Sequence, residues 1–205
     1  MAEFQVPPDD GGSIPTPPLQ FIKAEYEARE IPLADMRAFV QQYHYAKGGS
    51  NTATHRFGLF RKESPDLLGI AWWLPPTKSA ALSTYPANWK RVLSLSRLAV
   101  RPEVPKNACS FLIGYCTRFL KKEGKWEFLV TYADTWRGHT GAIYRAAGWT
   151  YMGLTKPERF YITSDGMMVS RKAGPKTRTH SEMLALGHTC VGSFAKHKYG
   201  LQLCQ

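Results

Sequence analysis

Apolar and polar positions along this chain follow two periods, and the switches between them mark its elements. Residues 128–133 (Phe-Leu-Val-Thr-Tyr-Ala) are apolar, aromatic or β-branched throughout, the pattern of a strand buried on both faces. Asp134 ends the run, so a carboxylate is expected at the carboxyl end of a central strand, where open α/β sheets bind ligands. A short helix follows, with Ile143 and Ala147 four apart on its packing face. Tyr144 is then expected to point off that face, towards the same edge as Asp134. Gly148 suits a left-handed helix cap, and Trp149 to Met152 restarts an extended pattern.

Upstream, Phe21 to Ala24 reads as a first strand. Leu33, Met36, Phe39, Val40 and Tyr43 follow helical spacing behind Pro32. Strands are expected over Thr54 to Lys62 and Leu67 to Leu74, joined by the turn Glu63-Ser64-Pro65-Asp66. A short helical turn over Tyr85 to Lys90 precedes a strand from Val92 to Val100. Simple alternation puts Val92, Ser94, Ser96 and Leu98 on one face of that strand, and Leu93, Leu95, Arg97 and Ala99 on the other. An arginine inside a sheet is costly without an anionic partner. Asp134 on the neighbouring strand is the expected one, in a buried ion pair or as part of a substrate site. The loop Arg101 to Ser110 leads into a helix ending near Lys122, and Arg159 to Arg171 forms a pair of strands around Ser164-Asp165-Gly166.

Composition changes the picture in one respect. The chain has 205 residues, enough for one α/β domain, but 27 Lys and Arg against 16 Asp and Glu give a net charge of +11. Such an excess favours a polyanionic partner, nucleic acid first. Two basic clusters, Arg171 to Arg178 and Lys196-His197-Lys198 beside Phe194 and Tyr199, suit a nucleic-acid strand or a solvated tail. No apolar run of spanning length and no basic amphipathic helix is present, so no membrane role is expected. The four cysteines form no C-x-x-C pair, which argues against structural zinc; with no signal peptide, reduced thiols and a cytoplasmic setting are expected. The expected organisation is a Pro-rich flexible arm over 1–18, a catalytic domain over 19–172 and a basic extension over 173–205.

Two further motifs bear on chemistry. Tyr43-His44-Tyr45-Ala46-Lys47-Gly48-Gly49-Ser50-Asn51 is either a flexible link or a backbone cradle for an anion, with Lys47 adding charge and His44 a candidate functional side chain. Leu74-Pro75-Pro76-Thr77 is similar to the [DNS]-P-P-[FWY] box of amino-methyltransferases. It has Leu where a polar residue would hold the amine and Thr where an aromatic would stack, so methyl transfer is set aside.

The stretch His139 to Gly153 resembles the A-x-x-x-Y-x-x-x-G-[FW]-x-x-x-G segment that closes the acyl site of GNAT acyltransferases, with Tyr144, Gly148, Trp149 and Gly153 in place. More closely, the chain resembles the phage Mom family of DNA-modification proteins, remote GNAT relatives. That likeness rests on Tyr43-His44-Tyr45 before Gly48-Gly49-Ser50, on Leu95 to Val100, and on Y-A-D-T…G-H…G-x-I-Y-R-A-A-G-W, within Lys23 to Arg171. It implies a single α/β (α+β) GNAT-like domain with a mixed central sheet flanked by helices. The loop Arg101 to Ser110 departs from the GNAT pattern [QR]-x-x-G-x-[GA]: both glycines are missing and Pro105 removes an amide. Lys106, Asn107 and Ser110 could hold a phosphate there instead.

What the resemblance implies is a transferase that puts a carbamoylmethyl (acetamido) group on N6 of adenine in phage DNA, protecting it from host restriction in the host cytoplasm. Double-stranded DNA is then the substrate. Asp134, or else His44, would accept the proton of the amine, and Tyr144 would act as hydrogen-bond donor or general acid. Trp136, Arg137 and His139 would meet a flipped base or its phosphate. Arg97, Ser110 and Lys47 would position donor or phosphate groups. His44, Tyr45 and Asp134 could together hold an iron ion. The donor would be glycine-derived, carried on tRNA as glycyl-tRNA, or else an acyl-CoA. Two other classes stay open: a GNAT N-acyltransferase acting on a protein, RNA or small-molecule amine, and a DNA-binding module without catalysis.

Overall fold

The computed structural model describes residues 20–47, 54–173 and 176–203. The N-terminal arm and the glycine-rich Gly48-Gly49-Ser50-Asn51 lie outside them. The described chain begins with a turn of 3-10 helix over Lys23–Glu25 and then β1 (Tyr26–Glu30). The first strand therefore starts later than Phe21 to Ala24. Phe21 instead stacks on Tyr26 and packs on Phe111, fixing the entry to the strand.

Helix α1 (Leu33–Tyr43) and strands β2 (His55–Arg61) and β3 (Leu67–Leu74) follow. Next come a short helix α2 (Lys78–Leu82), capped by the Thr77 side chain, and a 3-10 turn over Pro86–Arg91. Thr77 thus serves as a helix cap in the Pro-Pro segment. Strand β4 (Val92–Val100), helix α3 (Ala108–Glu123) and strand β5 (Phe128–Asp134) make the central crossover. Helix α4 (Ala142–Ala146) and strand β6 (Thr150–Leu154) complete it.

Past β6 come β7 (Glu158–Ile162), β8 (Met168–Val169), β9 (Lys172–Ala173), β10 (Lys176–Thr177), α5 (His180–Ala185), β11 (Thr189–Phe194) and β12 (Lys196–Gln202). The main sheet is seven-stranded in the order β1-β2-β3-β4-β5-β12-β6; β11-β7-β8 form a second sheet and β9-β10 a hairpin pair. Among the described residues only β4 and β5 pair in parallel; the other ladders are antiparallel.

The last strand revises the expected basic extension over 173–205. Residues Lys196 to Gln202 pair with the full length of β5 on one side and with β6 on the other, and Tyr199 is completely buried. Strand β5 is bonded to β4 along only part of its length, and its other edge would leave unpaired amides and carbonyls without β12.

Apolar faces lie on both sides of the sheet. Leu93, Leu95, Leu129 and Ala133 pack with α3 through Leu112, Ile113, Cys116 and Leu120. On the opposite face Ile70, Trp72 and Ala99 meet Met36, Phe39 and Val40 of α1. Among the described residues, no helix is long and apolar enough to cross a membrane.

Two irregularities open the sheet. Trp72 stands opposite Arg97 and Trp73 opposite Leu95, so Ser96 is an extra residue in β4, a β-bulge. One extra residue inverts everything beyond it. Leu98 and Val100 therefore join Leu93 and Leu95 on the α3 side, while Arg97 turns with Ala99 to the other face. The simple alternation expected for this strand fails at that point. The β4–β5 ladder runs from Val92↔Phe128 only to Leu95↔Thr131. Beyond it the two strands part.

Candidate active site

The parting strands leave a cleft of about 420 Å³, lined by Leu95, Ser96, Thr131, Tyr132 and Ala133 and closed by the segment from Gly138 to Tyr144. His44 and Tyr45 enter it from the end of α1. Asp134 is only 4% exposed. Its Oδ2 accepts a hydrogen bond from the Tyr45 hydroxyl, and Lys196 Nζ lies 2.7 Å from Oδ1. Lys196 and Asp134 are directly opposed across the β5–β12 ladder, so strand register builds the pair. The partner expected for Asp134 was Arg97. Lys196 takes the ion pair; Arg97 contributes charge to the Tyr45–Asp134 pair, and its Nη1 donates to the Ser96 carbonyl at 2.8 Å.

Tyr45 keeps its proton. Burial first, then the hydrogen bond to Asp134 and that group's charge, push the phenol well above its ordinary range. His44 is shifted the other way. Burial, reinforced by Arg97, lowers its pKa to about 4, so the ring is neutral near pH 7. Its Nδ1 accepts the Ala46 amide at 3.0 Å, which leaves the ring proton on Nε2. His44 therefore presents a hydrogen-bond donor to the cleft, and a second role as base is not what this geometry offers. The ring stacks on Tyr45 with centroids 4.4 Å apart.

Tyr144 lines the cleft but not as expected. It is 8% exposed, while Ile143, the supposed packing residue, is 37% exposed. Helix α4 is so short that a single aromatic anchors it: Tyr144 sits against Trp149 and Tyr199. Burial raises its phenol pKa and a hydrogen bond with Thr131 partly opposes that, so it too is a donor. Gly141 starts this helix at φ 73°, and a Cβ there would run into the Tyr199 ring. The Tyr199 hydroxyl donates to the Thr140 carbonyl at 2.6 Å, tying β12 to the loop above the cleft.

Of the remaining candidates, Arg137 lies over the Tyr45 and Trp136 rings, 5.1 and 4.9 Å from their centroids. Trp136 is half-buried against Phe160, and His139 is edge-on to Tyr45. Lys47 donates to the Gln42 carbonyl and lines an outer cleft with Trp136 and His139. Asn107 and Ser110 stay at the start of α3, outside the lining of the inner cleft, with Asn107 at φ 79°. Cys109 does line it, but burial raises its thiol to about 11, so it supplies no thiolate.

The donor set fits iron poorly. His44, Tyr45 and Asp134 do converge, yet both carboxylate oxygens are engaged, Tyr45 holds its proton, and Nδ1 of His44 faces a backbone amide. Among the described residues, no group of three or more His, Cys, Asp or Glu side chains is placed to hold a metal.

Lys196 is the site residue that sequence reasoning missed as such. The signal available was its position at the head of a stretch able to form a strand, but its basic neighbours made that stretch read as a tail.

The profile of the Mom protein family matches residues 25–201. No curated protein matches the chain. Among solved structures, the ribosomal-protein-S18-alanine N-acetyltransferase from Escherichia coli superposes with a TM-score of 0.52 at 13% identity, over 88% of this chain and 95% of that one. An N-acetyltransferase from Staphylococcus aureus Mu50 gives 0.50 at 15% identity, over 87% and 97%. Spermidine N-acetyltransferase from Vibrio cholerae, in complex with CoA and spermine, gives 0.51 at 9% identity, over 88% and 96%. The fold is that of the GNAT acetyltransferases.

Proposed function

The chain belongs to the Mom protein family, and on that premise we propose that it is a GNAT-like transferase that modifies the N6 amine of adenine in double-stranded DNA, ending in the carbamoylmethyl group. The observation that carries this reading is the group Tyr45 and Lys196 form around the buried Asp134 where β4 and β5 part, beside a second phenol, Tyr144. An aromatic amine is a weak nucleophile, so its proton must be taken as the new bond forms. Asp134 is too enclosed to meet the amine directly, whereas Tyr45 faces the cleft. The amine proton passes to the Tyr45 oxygen as Tyr45 hands its own to Asp134. Lys196 balances the carboxylate charge. His44 Nε2–H faces the oxyanion that develops on the donor carbonyl. Tyr144 gives its proton to the departing oxygen or sulfur of the carrier.

With a glycyl ester as donor, as on glycyl-tRNA, this step leaves a glycyl amide on N6. That group is an isomer of carbamoylmethyl. Attack of its free amine on purine C6 closes a five-membered ring, and cleavage of the original C6–N6 bond then yields the carbamoylmethylamine. No oxidant or reductant is required.

A second reading, acyl transfer from an acyl-CoA to another amine, uses the same cleft; the CoA bound to the Vibrio enzyme favours it. The loop before α3 weighs against it: both glycines of the GNAT pattern are missing there and Pro105 lacks an amide.

The test is nucleoside mass spectrometry on DNA from cells expressing the protein, Asp134→Ala or Tyr144→Phe. A deoxyadenosine heavier by the carbamoylmethyl group, co-eluting with a synthetic standard that separates it from the glycyl isomer, is expected for the wild type. Both variants should fall by about 10²-fold or more. Unmodified DNA beside acylated protein or RNA, with tight acetyl-CoA binding, would establish the second reading instead.

A further inference from the structure

Behind Asp134 lies a second cavity, of about 460 Å³, between the main sheet and the β7–β10 segment. Its walls carry Arg97, Arg159, Arg171, Lys172 and Lys196 against a single acid, Glu158. These cations come from β4, β7, the end of the β7–β8 unit, β9 and β12, so the fold and not a charge run gathers them. Lys196 pairs with Asp134, and Arg171 Nε donates to the Arg178 carbonyl at 2.8 Å. Arg159 and Lys172 are exposed, and among the described residues neither forms an ion pair. Between the cations the wall is apolar: Phe160, Met168 and Val169. Lys196 Nζ lies 5.5 Å from the Phe160 ring centroid. An apolar wall with an aromatic ring, edged by cations in a volume within the roughly 300–1,000 Å³ of small-ligand sites, matches a nucleotide.

Asp134 stands between the two chambers. Tyr45, bonded to one oxygen, lines the first cleft; Lys196, paired with the other, lines the second cavity, as does Ala46 beside Tyr45. We infer that the second cavity seats the acceptor: one nucleotide swung out of a DNA duplex, its phosphate on Arg159 and Lys172 and its base on Phe160, Met168 and Val169, with the exocyclic amine reaching past Ala46 to the Tyr45 oxygen at the first cleft. This rests on the reading that the acceptor is adenine in DNA. Extruding a base costs unstacking and unpairing free energy, least where its partner is missing, so such a seat has a measurable signature.

The experiment is fluorescence anisotropy with two duplexes, one fully paired and one with its adenine opposite an abasic site, from roughly 50 to 200 mM salt. Wild-type protein should bind the second duplex more tightly. Arg159→Ala/Lys172→Ala should lose about tenfold in affinity and flatten the log–log salt slope by about 0.9, the value for one phosphate contact. Lys121→Ala/Lys122→Ala, at the far end of α3, removes the same charge and should change neither. Ser170→Trp, at the exposed rim, keeps every cation and should abolish the preference for the abasic duplex. Equal losses for the two double variants, or no preference to abolish, overturn the inference. Nucleoside mass spectrometry separates this from the parent reading. If the wild type modifies DNA and Arg159→Ala/Lys172→Ala does so equally, only the seat falls; if the wild type leaves DNA unmodified, the parent reading falls.

Discussion

His44 shows how a single side chain changes role once its surroundings are fixed. Its identity and place beside Tyr45 were legible in the sequence; its protonation was not, because that depends first on burial and on Arg97, Asp134 and His139, brought close by folding. The folded pKa of about 4 lies below the ordinary 6.5, so the unfolded chain takes up the proton first as pH falls. The neutral ring costs nothing above pH 6.5, and stability is lost as pH drops from there towards 4, by at most about 1.4 kcal/mol per unit. Urea melts across that window should show the loss in the wild type and a smaller one in His44→Gln. Equal slopes would contradict the buried neutral ring. Gly141 makes a second residue-scale case. Gly141→Ala adds a Cβ against the Tyr199 ring at a left-handed φ and should cost about 1–3 kcal/mol by the same melts. Arg97 was legible as a residue needing an anion, but its face was not: one bulged serine inverts the alternation.

At the scale of elements, periodicity was a good guide where a strand or helix had its own pattern. Helix α1 and strands β3 and β4 have the limits their hydrophobic spacing implies, and Asp134 does end β5. It failed where long-range pairing decides. Lys196-His197-Lys198 has a tail's composition, and only the unfilled edge of β5 makes it a strand. The consequence is sharp. A chain ending at residue 195 keeps every motif that carries the family resemblance, yet loses the buried Tyr199, the β5 and β6 ladders and the cation paired with Asp134. It should be insoluble or lack a cooperative thermal transition by circular dichroism. A basic tail would be removable with no such effect.

Across the whole molecule, the charge excess was evident from composition, but its convergence on one cavity arises only when β4, β7, β9 and β12 meet. On the proposed reading, that arrangement sets a donor cleft and an acceptor cavity on either side of one carboxylate, which constrains the order of events. Ping-pong transfer would need a nucleophile in the donor cleft to carry the group between substrates. The cleft offers Cys109, raised to about 11 by burial, and three phenols, Tyr45, Tyr132 and Tyr144, all raised by burial. Direct transfer in a ternary complex is what remains, with both substrates bound across Asp134. Initial rates at several fixed concentrations of each substrate should therefore give intersecting and not parallel double-reciprocal lines. Incubation with donor alone should leave the mass of the intact protein unchanged. Cys109→Ala should retain activity within about threefold, since it removes packing but no reacting group. An acyl adduct on that cysteine would overturn the ternary route, and with it the division of the site into two chambers that meet only at the Tyr45–Asp134–Lys196 wall.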